Sequence, residues 1–199
     1  AYWLIASSLL ALLIFVIWES RSKHPVLELK LFRHNSVFAF SNMAALINYS
    51  ATFAVTFLMS LYLQEVRGFS PEYSGLVLVS QPIVQAIFSP IAGRLSDKVE
   101  PRIVSSSGMA VIVVGLYLFV PITGSTNLQF IVVNLMLLGF GFALFSSPNM
   151  NAIMSSVEGR FYGVASATAG TMRLVGQSLS LWITTLFFAL VIGRILPTD

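Results

Sequence analysis

Arg173 is the residue whose surroundings most clearly demand a chemical role. It is the one charged side chain in the apolar run of residues 163–191. At a helical rise of 1.5 Å per residue, it lies about 15 Å into that run. If the run crosses a bilayer, a cation at that depth costs roughly 2.5–3.5 kcal/mol, so the side chain should face a partner or a wet cavity. Arg173 therefore either contacts a substrate or gate, or clasps backbone carbonyls or a neighbouring helix.

Polar side chains form a second candidate surface in the apolar run of residues 37–63. At about 100° per residue, Tyr49, Thr52 and Thr56 share one helical face. A polar stripe on an apolar helix faces either a water-filled path or a hydrogen-bonding neighbour, and both alternatives stay open. The polar residues of this run are Asn42, Asn48, Tyr49, Thr52 and Thr56.

Other apolar runs contribute four more candidates for a substrate path. Gln81 and Gln85 are one helical turn apart and flank Pro82, where a local helix break could open a site. Asn149 ends one run, and Gln177 follows Arg173 by one turn.

Four glycines are candidates for close helix contact. Gly139 and Gly141 lie in one apolar run, and Gly163 and Gly170 give the last run a small-residue face. Small residues let helix backbones approach in membranes, so we expect packing at all four positions.

The titratable groups exclude several kinds of chemistry. All eight carboxylates lie in connections or at the ends of apolar runs, and the chain has no cysteine. We find no metal-binding pattern, no nucleophile elbow and no phosphate-binding loop, and expect neither an enzyme nor a cofactor. A proton-coupling carboxylate, if the protein needs one, should lie outside this sequence.

Composition places the chain in a membrane. Hydrophobic residues make up 56% of the 199 residues and charged residues only 10%, a balance that soluble domains do not show. The net charge of +3 arises in inter-span connections and forms no basic patch interleaved with aromatics, so nucleic acid is not an expected partner. Membrane lipid is.

Six apolar runs are long enough to cross about 30 Å of hydrocarbon as helices. Residues 19–36 between the first two runs are too polar to cross, and 25–33 suit a short interfacial element. The runs are residues 1–18, 37–63, 73–92, 103–121, 128–149 and 163–191.

Charge in the connections predicts the orientation of the spans. The first, third and fifth connections carry eight basic residues, whereas the second and fourth carry one, Arg67. The odd connections should therefore face the cytoplasm. The chain also starts at Ala1 inside an apolar run, and we interpret it as a fragment of a longer protein.

The third connection is a charged segment, residues 90–102, between two apolar runs. Gly93 should allow close backbone approach, Asp97 should precede the next helix, and Pro101 suits a first helical turn. Its signature residues are Gly93, Arg94, Asp97, Lys98 and Arg102.

This segment resembles the cytoplasmic loop signature of the major facilitator superfamily. Residues 25–33 are similar to the linker of its fourteen-span drug:proton antiporter branch, the EmrB/QacA-like multidrug exporters. The last run is similar to that branch's penultimate span, through Arg160, Gly163, Ala165, Ser166, Arg173 and Gly176.

The resemblance implies an all-α, polytopic helix bundle and a division of the chain. Residues 1–18 would be an extra central helix, 19–36 a cytoplasmic amphipathic linker, and 37–199 a C-terminal lobe of five spans lacking its last. The missing N-terminal half would be the partner of this lobe. The charged segment would act as a latch whose ion pairs hold one access state.

The implied function is proton-coupled export of hydrophobic or cationic drugs by alternating access in a bacterial inner membrane. Alternatives are a carrier of the same superfamily for an organic acid, sugar or peptide, a non-catalytic membrane subunit, or a channel.

Overall fold

The computed structural model describes residues 29–195, together with Leu10 and Ile14, and gives side-chain surroundings for residues 31–190. Most of the predicted first span and most of the predicted linker lie outside these residues. Within the described part, every regular element is a helix, as expected. The helices are α1 (Leu29–His34), α2 (Ser36–Leu61), α3 (Pro71–Leu78), α4 (Ser80–Ser96), α5 (Pro101–Phe119), α6 (Leu128–Ser155) and α7 (Tyr162–Ile195).

Five helical segments of the described part are long and apolar enough to span a membrane. They match the second to sixth predicted runs, although the second extends through a π-helical turn, Tyr62–Val66, and α3 and α4 together form the third. The five spans confirm an all-α bundle. The segments are Ser36–Val66, Pro71–Ser96, Pro101–Phe119, Leu128–Ser155 and Gly159–Leu190.

Local sequence signals explain where the helices start. The Asn35 side chain accepts a hydrogen bond of 2.9 Å from the N–H of Phe38 at the start of α2. The Ser70 hydroxyl caps α3, whose first residue is Pro71, and Asn127 caps α6. Each cap satisfies a backbone donor that the first helical turn leaves without a partner.

Helix α6 is the centre of the bundle. It packs extensively against α4 and α5, while α2 packs mainly against α7 and also contacts α6. Its side chains enter all three buried apolar clusters, through residues such as Leu138, Ile131 and Ile153. The fold is therefore a three-helix unit and a two-helix unit joined through α2 and α6.

Glycines set the distances at the α6 contacts. A Cβ at Gly139 would collide with the carbonyl oxygen of Gln81 in α4, and one at Gly108 of α5 would lie 2.6 Å from the Phe145 nitrogen in α6. The expectation for Gly139 and Gly141 is thus confirmed. For Gly163 and Gly170 the described residues offer no such contact, because a Cβ at either would meet none of their atoms within 4 Å.

A clasp joins the two units at the end opposite α1. The Arg67 guanidinium donates to the carbonyl oxygens of Gly124 and Thr126 at 2.9 and 2.7 Å and lies 5.5 Å from the Phe69 ring centroid. The Tyr62 hydroxyl donates to the carbonyl oxygen of Thr123 at 2.7 Å. These bonds tie the end of α2 to the turn between α5 and α6.

We expect Arg67→Ala to lower the free energy of unfolding by about 1–2 kcal/mol, because it removes two charge-assisted hydrogen bonds. Thermal unfolding of the purified full-length protein in detergent measures the change. Arg67→Lys should recover part of it, since an ammonium group can still reach one carbonyl. Equal stability of wild type and Arg67→Ala would show that the clasp does not hold the units together.

Candidate functional site

A cavity of about 290 Å³ lies between α2, α6 and α7. Three predicted path residues meet at it, one from each helix: Tyr49, Asn149 and Arg173. Its remaining lining includes Ser146, Met150, Ser166 and Gly170, and the apolar side chains of Ala45, Phe145, Ile153 and Ala169. Three helices of an apolar bundle thus place polar groups around one cavity.

The geometry around Arg173 follows from the contact between α2 and α7. Gly176 lies one turn after Arg173, and a Cβ there would approach the Leu46 carbonyl oxygen to 2.7 Å. This close approach brings the Tyr49 hydroxyl within interacting range of the guanidinium. On its other side, the Tyr49 ring packs on Phe142 of α6 with centroids 6.5 Å apart. Tyr49 therefore contributes an aromatic ring to the cavity lining and a hydroxyl beside the Arg173 guanidinium.

Arg173 has no carboxylate partner among residues 31–190. The salt bridge found there joins Arg160 to Glu158 at the exposed start of α7. Arg173 itself is exposed at the surface of the lobe, near the middle of the Gly159–Leu190 span. The sequence expectation of a mid-depth cation beside a cavity therefore agrees with the geometry. The contact with Tyr49 also fits the alternative in which Arg173 binds a neighbouring helix, so both roles stay open.

Thr56, Gln81 and Gln85 line a second cavity of about 390 Å³. The helix breaks at Val79, between α3 and α4, three residues before Pro82. Because Pro82 has no N–H, the carbonyl of Leu78 loses its intrahelical partner, and Leu78 lines this cavity. The predicted break beside the glutamines is therefore present.

The predicted stripe on α2 does not form one surface. Tyr49 lines the first cavity and Thr56 the second, while Thr52 is buried and donates to the Asn48 carbonyl within α2. Asn42 is fully buried and donates to the Phe38 carbonyl in the same helix.

The side-chain oxygens of Asn42 and Asn48 are buried without a hydrogen-bond partner. Gln177 is half-buried on α7 and is not among the lining residues of either cavity. A transport role for these residues stays a prediction.

Residues 1–195 match the sequence profile described as the Major Facilitator Superfamily. The chain belongs to the major facilitator superfamily. The family prediction is confirmed, and with the five apolar spans it makes this superfamily protein an integral membrane protein.

Three curated relatives illustrate the range of the superfamily around this chain. An uncharacterized MFS-type transporter of Bacillus subtilis, YhcA, is 31% identical over 90% of the chain and 34% of its own length. The riboflavin transporter RibZ of Clostridioides difficile is 26% identical over 92% and 40%. The multidrug resistance protein Stp of Mycobacterium tuberculosis is 28% identical over 83% and 30%. The chain therefore spans between 30% and 40% of the length of these relatives.

The loop signature of this superfamily chain is more helical than its sequence predicts. Helix α4 continues through Pro90, Gly93 and Arg94 to Ser96, so the connection shrinks to residues 97–100. Asp97 caps the carboxyl end of α4, and Glu100 takes the position before α5. The expected placement of Asp97 just ahead of the next helix is wrong, whereas Pro101 does begin α5.

The signature side chains form no ion pair with another described residue in this conformation. Asp97 lies beside Asn151 of α6 and Tyr162 of α7 in a shallow cavity, and Asn151 donates to the Ser96 hydroxyl at 2.8 Å. Gly93 faces the Ser147 hydroxyl, which a Cβ would approach to 3.0 Å. Arg94 and Lys98 are exposed, and Arg102 lines a groove of about 670 Å³ at this end. The latch role stays a prediction.

Sequence reasoning missed the part of the first cavity formed by Ser146, Ser166 and Met150. Ser146 precedes Met150 by one turn, and Ser166 precedes Gly170 by one turn, so each lies on the cavity-facing side of its helix. That periodicity could be read from the sequence, but the neighbouring helix that each face would meet could not.

Within the described part, no group of three or more His, Cys, Asp or Glu side chains could hold a metal ion.

Proposed function

We propose that the full-length protein is a proton-coupled exporter of hydrophobic drugs, cationic ones included, and that residues 37–199 supply part of one lobe. The cavity between α2, α6 and α7 carries this proposal, because it places the Arg173 cation and the Tyr49 ring near the middle of their spans and adds the hydroxyls of Ser146 and Ser166. A mid-membrane cavity of this kind suits a binding site that is exposed alternately to the two sides. Multidrug resistance relatives such as Stp support the cargo.

The positions of the described carboxylates bear on where a proton-coupling group would lie. The described carboxylates are Glu65, Glu72, Asp97, Glu100 and Glu158, all in connections or in the first or last turn of a helix. Proton coupling needs a titratable group with access to the central path. We therefore place the coupling carboxylate in the other half of the transporter, which would face this lobe in a bacterial inner membrane.

Proteoliposomes holding the full-length protein test this proposal. With a fluorescent aromatic dye and an imposed pH gradient, we expect protein-dependent dye movement opposite to the flow of protons. A protonophore should abolish this movement, and protein-free liposomes serve as the control. Dye movement that ignores the gradient would disprove proton coupling, and none with a broad dye panel would disprove drug export.

A second candidate keeps the carrier and changes the cargo to another small solute. The riboflavin transporter RibZ favours this candidate, since its named substrate is a specific solute. Gradient-driven uptake of riboflavin, with no movement of the dye panel, would select it.

A further inference from the structure

The electrostatics of the cavity between α2, α6 and α7 restrict which part of a substrate can occupy it. Its charged lining residue is the Arg173 guanidinium, which carries a positive charge and five N–H donors. The neutral groups around it are the hydroxyls of Tyr49, Ser146 and Ser166 and the Asn149 amide.

None of these neutral groups compensates a full positive charge. Tyr49 offers the guanidinium a hydroxyl and no carboxylate, and the Asn149 amide nitrogen donates to the Ser41 carbonyl oxygen at 3.2 Å. No carboxylate of the described part pairs with Arg173. The described lining therefore carries a net positive charge, which disfavours a cation and favours an anion.

The walls of the same cavity add a shape requirement. The Tyr49 ring packs on Phe142, and Phe145 and Met150 line the space. Flat rings and a polarizable thioether favour planar aromatic groups through stacking and sulfur–aromatic contacts. The volume of about 290 Å³ is at the lower end for small-molecule pockets, so it accommodates one end of a drug-sized molecule.

We infer that this cavity binds the electron-rich end of an aromatic substrate, a ring that bears a carboxylate or carbonyl oxygens, with Arg173 as its donor. The inference rests on the proposed transport function and names the substrate chemistry of one subsite. A cationic substrate then places its positive group outside this cavity. An anionic aromatic compound binds more tightly than its cationic analogue of the same size.

Equilibrium binding to the purified full-length protein, without any gradient, tests the inference separately from transport. The probes are 9-anthracenecarboxylate and 9-(aminomethyl)anthracene, which share a ring system and differ in charge. Arg173→Gln removes the charge and keeps donors, and Arg173→Lys keeps the charge. Arg160→Gln is the matched control, since it removes the same charge from a side chain that is 71% exposed.

We expect Arg173→Gln to weaken carboxylate binding at least tenfold and to leave ammonium binding unchanged or tighter. Arg173→Lys should bind the carboxylate probe within about threefold of the wild-type affinity. Arg160→Gln should bind both probes as the wild type does. Equal loss of both probes in Arg173→Gln, as expected if a carboxylate elsewhere in the full-length protein pairs with Arg173, would overturn the inference. Wild-type protein that prefers the ammonium probe would also overturn it. Neither result depends on whether a pH gradient drives flux.

Discussion

Arg173→Leu should abolish substrate export while leaving the protein in the membrane. Leucine inserts more easily than arginine at mid-span, by roughly 3 kcal/mol, so membrane insertion is not at risk. The substitution removes the charge of the cavity and leaves the Tyr49 hydroxyl facing an apolar side chain. The measurement is the initial rate of gradient-driven dye movement in proteoliposomes, normalised to the amount of reconstituted protein.

Two further variants show whether the charge or only the volume of Arg173 matters. Arg173→Lys should retain part of the rate, because an ammonium group keeps the charge but loses the forked donor geometry. Arg160→Leu should transport normally, since its exposed ion pair with Glu158 contributes little. If Arg173→Leu exports at the wild-type rate, Arg173 has no part in transport.

Gly139→Ala should destabilise the bundle at its centre. The added methyl group would collide with the Gln81 carbonyl oxygen and lie 3.1 and 3.2 Å from the Gln81 carbonyl carbon and the Val84 Cβ. The first two are backbone atoms and cannot rotate away, so α4 and α6 must separate. Overpacking of this kind costs about 1–3 kcal/mol, which unfolding of the purified full-length protein in detergent would detect.

Gly163→Ala provides the matched control for this glycine. A Cβ at Gly163 would meet no atom of the described residues within 4 Å, and the residue lies in the first turn of α7. The same methyl group there should be neutral or stabilise the protein by about 0.4–1 kcal/mol through the unfolded chain. Equal effects of the two substitutions would mean that the close contact of α4 and α6 contributes nothing to stability.

Sequence reasoning succeeded where a single run of residues carries the information. The spans that the structure describes are apolar stretches about as long as a bilayer is thick, and hydropathy depends on composition alone. Arg173 could be placed at mid-depth because helical rise is constant along the chain. Pro101 at the start of α5 is a local preference of the same kind.

Local sequence preference did not predict how the charged segment, residues 90–102, folds. The run Gly93 to Ser96 carries polar residues that suit a turn, yet α4 continues through it to Ser96. One physical reason is that Gly93 packs against Ser147 of α6, and this tertiary contact supports the helix past its apolar part. As a result Asp97 ends one helix and does not begin the next.

Composition and periodicity by themselves determined that this chain is an all-α membrane bundle with a cation near the middle of one span. Only the tertiary structure decided that Tyr49, Asn149 and Arg173 share one cavity, that Thr56 belongs to another, and that Asn42 is enclosed. Periodicity assigns a side chain to a face of its own helix. Which neighbour that face meets depends on how closely the helices cross, and that distance is set by long-range contacts such as Gly176 on Leu46 and Gly139 on Gln81.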